Sequence, residues 1–210
     1  MTATHRRRTK TNAGLADSDY AARQQEIRDG ARDTFVRYGY RKTTIEDIGK
    51  ACGLGKAALY HYFSSKEEIF AAVVRAEGDK VLAQIRAAVG ATNDPKAQVV
   101  AMLGTSLRAV SAKVRGIIEN KGAAELKKSL PLAARYLRHF LDEEVKILRE
   151  ILEEGARRGV FKKVSSPSVP LLIISGLRGV ESYLLDFEDP PPLDDAIDAI
   201  LKLFLEGICR

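Results

Sequence analysis

The sequence predicts an all-α protein in two parts, a small N-terminal three-helix domain followed by a larger C-terminal helical domain. Three observations predict it. Apolar residues recur at i, i+4 and i+7 along most of the chain, the period of helices that bury one side. From Thr43 to Glu68 that pattern is cut into short pieces around a glycine turn, whereas beyond Lys66 it runs in long stretches. Charge is also unevenly placed. Through residue 66 there are 13 Lys and Arg against 7 Asp and Glu, while the rest carries 21 of each, so the net +6 lies entirely at one end. At 210 residues the chain suffices for one or two domains with a real core.

The expected divisions are 1–20, a disordered basic arm; 21–81, the three-helix domain; and 82–210, the second domain. The polar arm carries Arg6, Arg7, Arg8 and Lys10. It reads either as a minor-groove arm, as in homeodomains, or as a solvated tail. Ile27, Ala31 and Phe35 at i, i+4, i+8 predict a helix from Ala21 to about Tyr38, ended by Gly39. Thr43 with Glu46 reads as a capping box. Ile45, Ile48 and Ala51 then form the inner face of a short helix, Gly53 turns the chain and Leu54 plugs the turn. A second short helix, Lys56 to Phe63, turns Leu59 and Phe63 inward. Ser65 with Glu68 reads as another capping box. Ile27, Phe35, Ile48, Leu59, Phe63 and Ile69 are the expected core.

Two short helices joined at a glycine turn are the signature of a helix-turn-helix, whose second helix enters the major groove of DNA. Such a helix needs a basic, aromatic and hydrogen-bonding outer side. Between Asp47 and Glu67 the sequence has no carboxylate, and it offers Lys56, Tyr60, His61 and Tyr62 there. An ordinary helical hairpin with surface aromatics is the alternative that spacing alone leaves open. The positive excess of this segment fits an electrostatic footprint on phosphate.

The run KACGLGKAALYHYFSSKEEIF, preceded by GYRKTTIEDI, resembles the DNA-binding domain of the TetR-type (tetracycline-repressor) family of bacterial regulators, over roughly Ala21 to Val81. It departs from the family pattern at Gly55, where Ser is usual, and at Ala57-Ala58, where Gly-Thr is usual. The resemblance implies that Thr43 and Thr44 touch phosphate. It places Lys56, Ala57, Tyr60, His61 and Tyr62 at the groove and closes Lys66 on phosphate. With Ala57 and Ala58 at the leading end, base discrimination would rest on Lys56, Tyr60 and apolar contact with thymine methyls.

Beyond the turn, Phe70, Val73, Val74, Val81 and Ile85 continue one helix from Lys66 into the second domain, a natural lever between the two. Asp94-Pro95 opens the next helix, with Val99, Leu103, Leu107, Val110, Val114 and Ile117 along one face. A short helix is expected at Ala123–Leu130, before Pro131. A long one at Leu132–Arg158 has Leu137, Leu141, Val145, Leu148 and Leu152 as its inner stripe, with Glu143, Glu144, Glu153 and Glu154 on a solvated side, and ends at Gly159. The helix at Ser166–Phe187 is apolar on more than one side, through Leu171 to Ile174. Its Ser175, Gly179 and Ser182 make a stripe without bulk. After Asp189 to Pro192, the last helix aligns Ile197, Ile200, Leu201, Phe204, Leu205 and Ile208. Two strongly apolar helices at the chain's end suggest pairing with a second copy. The resemblance implies a homodimer through a four-helix bundle of these two helices, with Ser175, Gly179, Ser182, Ile197, Leu201, Phe204 and Leu205 at the interface.

The resemblance makes the second domain a ligand-binding and dimerisation domain for a small-molecule effector of unknown identity. Arg108, Tyr136, His139, Arg178 and Tyr183 are candidate pocket residues beside apolar faces, and Arg178 and Glu181 at i, i+3 can pair with each other. It implies a ligand-released repressor of a pseudo-palindromic operator in double-stranded DNA. A ligand-independent architectural or protein-interaction factor on the same scaffold is the contrasting reading. Enzyme classes lack their motifs: there is no Gly-rich phosphate loop, no His or Cys cluster for a metal and no glycine-framed Ser nucleophile. No cofactor is expected. Absence of an apolar run of membrane length or of a secretory signal, with Cys52 and Cys209 as buried free thiols, points to the cytoplasm.

Overall fold

A computed structural model describes residues 6–121, 132–162, 166–186 and 192–209; side chains are described outside 6–17, 114–121, 180–186, 193 and 196. The chain divides into two compact units, Met1–Val74 and Arg75–Arg210, so the division falls inside a helix and earlier than the expected 81. The first unit holds α1 (Arg6–Tyr38), α2 (Ile45–Cys52), α3 (Lys56–Tyr62) and the start of α4 (Lys66–Gly90). The second holds the rest of α4, α5 (Pro95–Lys121), α6 (Arg138–Arg157), α7 (Val169–Asp186) and α8 (Leu193–Ile208).

α1 starts at Arg6, well before the expected Ala21, so much of the expected disordered arm is helical. That stretch holds good helix formers such as Ala13, Leu15 and Ala16 and has no proline to stop them. The expected core of the first unit is present. Ile27, Ile48 and Ile69 have no exposed surface, and Phe35, Leu59 and Phe63 are buried with them. Phe35, Tyr40 and Phe70 add an aromatic cluster, with Phe35 and Phe70 edge to face at 5.4 Å. Ala51 is exposed and Leu54, in the turn after α2, is half-buried.

In the second unit Val81, Leu82 and Ile85 of α4 meet Val99, Met102, Leu103 and Leu107 of α5. Phe140, Leu148, Ile151 and Leu152 of α6 complete that layer with Ile174, Leu177, Ile197 and Leu201. Asp94 caps α5 by accepting the Ala97 N–H at 3.1 Å. The side chains of Val114 and Ile117, and the helix expected at 123–130, lie outside the described residues. The long helix expected from Leu132 is helical over 132–136, bends at Leu137 and resumes as α6. An isolated antiparallel bridge joins Phe161 to Cys209. Both cysteines are free and half-buried rather than buried.

Two expectations about the second unit are corrected. Glu144, assigned to a solvated side, has no exposed surface. It stands one turn from both Phe140 and Leu148 on the buried stripe, accepts the Ser106 hydroxyl at 2.5 Å and pairs with Arg178. Burial pushes its carboxyl upward in pKa, and Arg178 and Ser106 pull back. Ile197 and Leu201, assigned to a dimer interface, belong to the chain's own core instead. Apolar bulk stays in water elsewhere: Leu172 is 66% and Leu203 75% exposed.

Candidate nucleic-acid interface

The helix-turn-helix is built by local hydrogen bonding. Helix α2 begins at Ile45, so its cap is Thr44 rather than Thr43, and the partner three residues on is Asp47 rather than Glu46. The Thr44 hydroxyl accepts the Asp47 N–H at 3.1 Å while the Asp47 carboxylate accepts the Thr44 N–H at 2.9 Å. Those bonds, the one from the Thr44 side chain first, hold the Asp47 carboxyl below its ordinary pKa. Gly53 ends α2 in the left-handed region at φ 64°, donating its N–H back to Gly49 and Lys50. A Cβ at Gly49 would sit 2.5 Å from the Leu54 carbonyl oxygen, so the turn closes on a residue without one. Gly55, with no side chain to cap α3, stands at its start in extended conformation.

At the other end of α3, side chains of α1 satisfy carbonyls left open by the end of the helix. The Tyr20 hydroxyl donates to the His61 carbonyl at 3.3 Å and the Gln24 amide to the Tyr62 carbonyl at 3.4 Å. The Tyr20 ring lies 4.9 Å from that of Tyr62, and His61 stands edge-on to both. The spacing of α3 gave no sign of this support, because the partners come from about 40 positions earlier in the chain. Ser65 caps α4 through the Glu68 N–H, but the Glu68 carboxylate turns to the N–H of Ser64 rather than closing a box with Ser65.

The expected contact residues divide into three groups. Thr44, Lys56, Ala57, Tyr60 and His61 are exposed, and Tyr60 keeps 45% of its surface. Tyr62 is half-buried against Tyr20. Thr43 is 1% exposed and its hydroxyl donates to the Gly39 carbonyl at 2.8 Å, which removes it from any phosphate. Lys66 is half-buried, with its ammonium donating to the carbonyls of Tyr40 at 3.0 Å and Thr43 at 2.9 Å and lying 4.5 Å from the centre of the Tyr40 ring. It clasps the turn between α1 and α2. Glu46, freed from the capping role, pairs with Lys56 at 2.7 Å. Their hydrogen bond lowers the carboxyl's pKa and raises the ammonium's.

Of the expected pocket residues, Arg178 is held by Glu144 and lies over the Phe140 ring. Its expected partner Glu181, together with Ser182 and Tyr183, falls outside the described side chains. Arg108 pairs with Asp194 at 3.2 Å, Tyr136 stacks with Arg75 and Arg135, and His139 is exposed. No group of three or more His, Cys, Asp or Glu suited to a metal occurs among the described residues. No described helix is long and apolar enough to cross a membrane.

Residues 27–73 match the family of bacterial regulatory proteins, tetR family. An HTH-type transcriptional repressor of Mycobacterium tuberculosis is 35% identical over 69 residues, a match that covers 33% of this chain and 37% of that protein. The HTH-type transcriptional repressor KstR2 of Rhodococcus jostii is 29% identical over 147 residues, covering 69% of this chain and 71% of that one. A TetR transcription regulator from Haloarcula marismortui shares the fold with a TM-score of 0.74 at 18% identity, over 90% of this chain and all of that one. The matched segment takes in α2, the capped glycine turn and α3, so residues 27–73 form a domain of the kind found in bacterial regulatory proteins of the tetR family.

Proposed function

We propose that this protein is a sequence-specific DNA-binding repressor that acts as a homodimer and is released from DNA by a small-molecule effector. The observation that carries the reading is the outer side of α3. Lys56, Ala57, Tyr60 and His61 stand exposed on a helix whose opposite side is locked by Leu59 and Phe63. A duplex accepts such a surface in its major groove, where ammonium and phenol meet base edges and the short alanines allow close approach. The relatives' descriptions as transcriptional repressors support the same reading.

Two copies would place two α3 helices in successive major grooves of a pseudo-palindromic operator. The surface offered for pairing is the exposed apolar bulk of α7 and α8: Leu171 and Leu172, which precede Ser175, Gly176 and Gly179 along α7, and Leu203 on α8. A Cβ built on Gly176 or Gly179 meets nothing within 4 Å, so a second backbone has room to approach. An effector bound in the second unit would favour a dimer geometry whose α3 spacing mismatches the operator. It need supply only its differential affinity for the two states, typically about 1–3 kcal/mol. α4, one continuous helix contributing to both units, is the lever we assign to that coupling. The site of action is the cytoplasm, on the nucleoid.

The test is selection of bound fragments from sheared genomic DNA with the purified chain, followed by titration of the enriched sequence. Recovery of an inverted repeat bound far more tightly than mixed DNA is the expected result. Binding that shows no sequence preference would refute the repressor reading and leave an architectural one.

A further inference from the structure

We propose that Glu46 is a positioning residue that sets the sequence discrimination of α3 by tethering Lys56. This rests on the DNA-binding reading above and adds a residue to it. The Lys56 ammonium, on the first residue of α3, lies 2.7 Å from the Glu46 carboxylate of α2, across the turn. Both side chains are more than half exposed. An exposed pair of this kind contributes little to the fold, typically below about 1 kcal/mol, so its consequence is sought where DNA would bind. The neighbouring Asp47 is not a substitute partner, because its carboxylate is engaged by the Thr44 N–H and hydroxyl.

An ammonium has three donors. Glu46 takes one, and the two that remain suit the O6 and N7 acceptors that guanine presents in the major groove. Lysine is otherwise a flexible point charge whose side chain carries roughly 2 kcal/mol of rotamer entropy. The tether gives up part of that freedom before docking, which favours one geometry of contact. A free ammonium at the leading end of α3 would instead pair with whichever phosphate came within reach, adding affinity that carries no sequence information. Glu46 neutralises that charge locally, and its own carboxylate is repelled by phosphate. Specific contact keeps its strength while indiscriminate contact loses some.

The experiment compares the full chain with Glu46→Gln, Lys56→Met and the double variant. Each is used to select from duplexes with a randomised core, and each is titrated with salt on mixed-sequence genomic DNA. Circular dichroism melting should match wild type for all three. In Glu46→Gln the slope of log K against log salt on mixed DNA should steepen by about one unit per protomer. Its preference for selected over mixed duplex should fall by about fivefold or more. In the Lys56→Met background the same change at Glu46 should have neither effect. The proposal is overturned if Glu46→Gln keeps the wild-type slope and preference, if it raises both affinities by one factor, or if its effects persist without Lys56. A wild-type chain that binds no duplex at low salt would overturn the DNA-binding reading together with this one.

Discussion

Lys66 donates its ammonium to two backbone carbonyls under the Tyr40 ring, and that arrangement makes its part in DNA binding a question of salt. A lysine that neutralises phosphate releases counterions, whereas one that clasps a turn releases none. Lys66→Met should weaken DNA binding with the salt slope unchanged and lower the stability of the first unit by about 2 kcal/mol, the loss expected for hydrogen bonds to a charged group. A slope flattened by about one unit per half-site would return Lys66 to phosphate. Glu77 shows the same logic in a proton equilibrium. Burial opposes its ionisation, but Lys113 and Lys80 overcome that and hold its carboxyl down at about 2. A depressed acid contributes stability that is complete above its unfolded value near 4.5 and fades as pH falls toward 2. Glu77→Gln should therefore melt earlier than wild type at neutral pH, and the difference should close between about pH 4.5 and 2 in melts across that range.

At the scale of elements, α3 is short and depends on what surrounds it. At Lys56–Tyr62 it is under the length at which an isolated helix holds in water. Its inner face is pinned by Leu59, its start by the turn at Gly53 and its end by Tyr20 and Gln24 of α1. Gly53→Ala places a Cβ in the left-handed region and should cost about 1–2 kcal/mol, read as a lower denaturation midpoint. The inner face and the glycine turn were legible in sequence because both are local patterns. The capping pair was legible only to within one residue: Thr43 and Thr44 are adjacent and alike, and where α2 starts decides which one caps. The support from α1 was illegible, since nothing local links Tyr20 to His61. Glu144 had one sign, its place one turn from Phe140 and Leu148, but two adjacent glutamates read as a solvated side until Arg178 is known to face Glu144.

For the molecule as a whole the issue is what covers the end formed by α7 and α8. Leu172 and Leu203 keep most of their surface in water, and single apolar residues of that exposure are common, but Leu172 stands one turn from Gly176 on a face left open at Gly176 and Gly179. Leu172→Glu combined with Leu203→Glu should leave the fold intact, as neither side chain is in the core, and should convert a dimer into monomers by sedimentation equilibrium. Operator affinity should fall with it, because each half-site then binds alone. A wild-type chain that sediments as a monomer would remove the homodimer from the mechanism.

The sequence by itself determined the all-helical class, the position of the helix-turn-helix, the core of the first unit and the likeness of its DNA-binding segment to the tetR family. Each of these is written in short-range periodicity, turn chemistry and local composition, which the order of residues carries directly. Only the tertiary structure decided that Thr43 is buried, that Lys66 clasps a turn, that Glu46 holds Lys56, and that Ile197 and Leu201 fill the chain's own core. Those outcomes depend on which side chains from distant positions arrive at the same place, and a partner far along the chain leaves no periodic trace near the residue it binds.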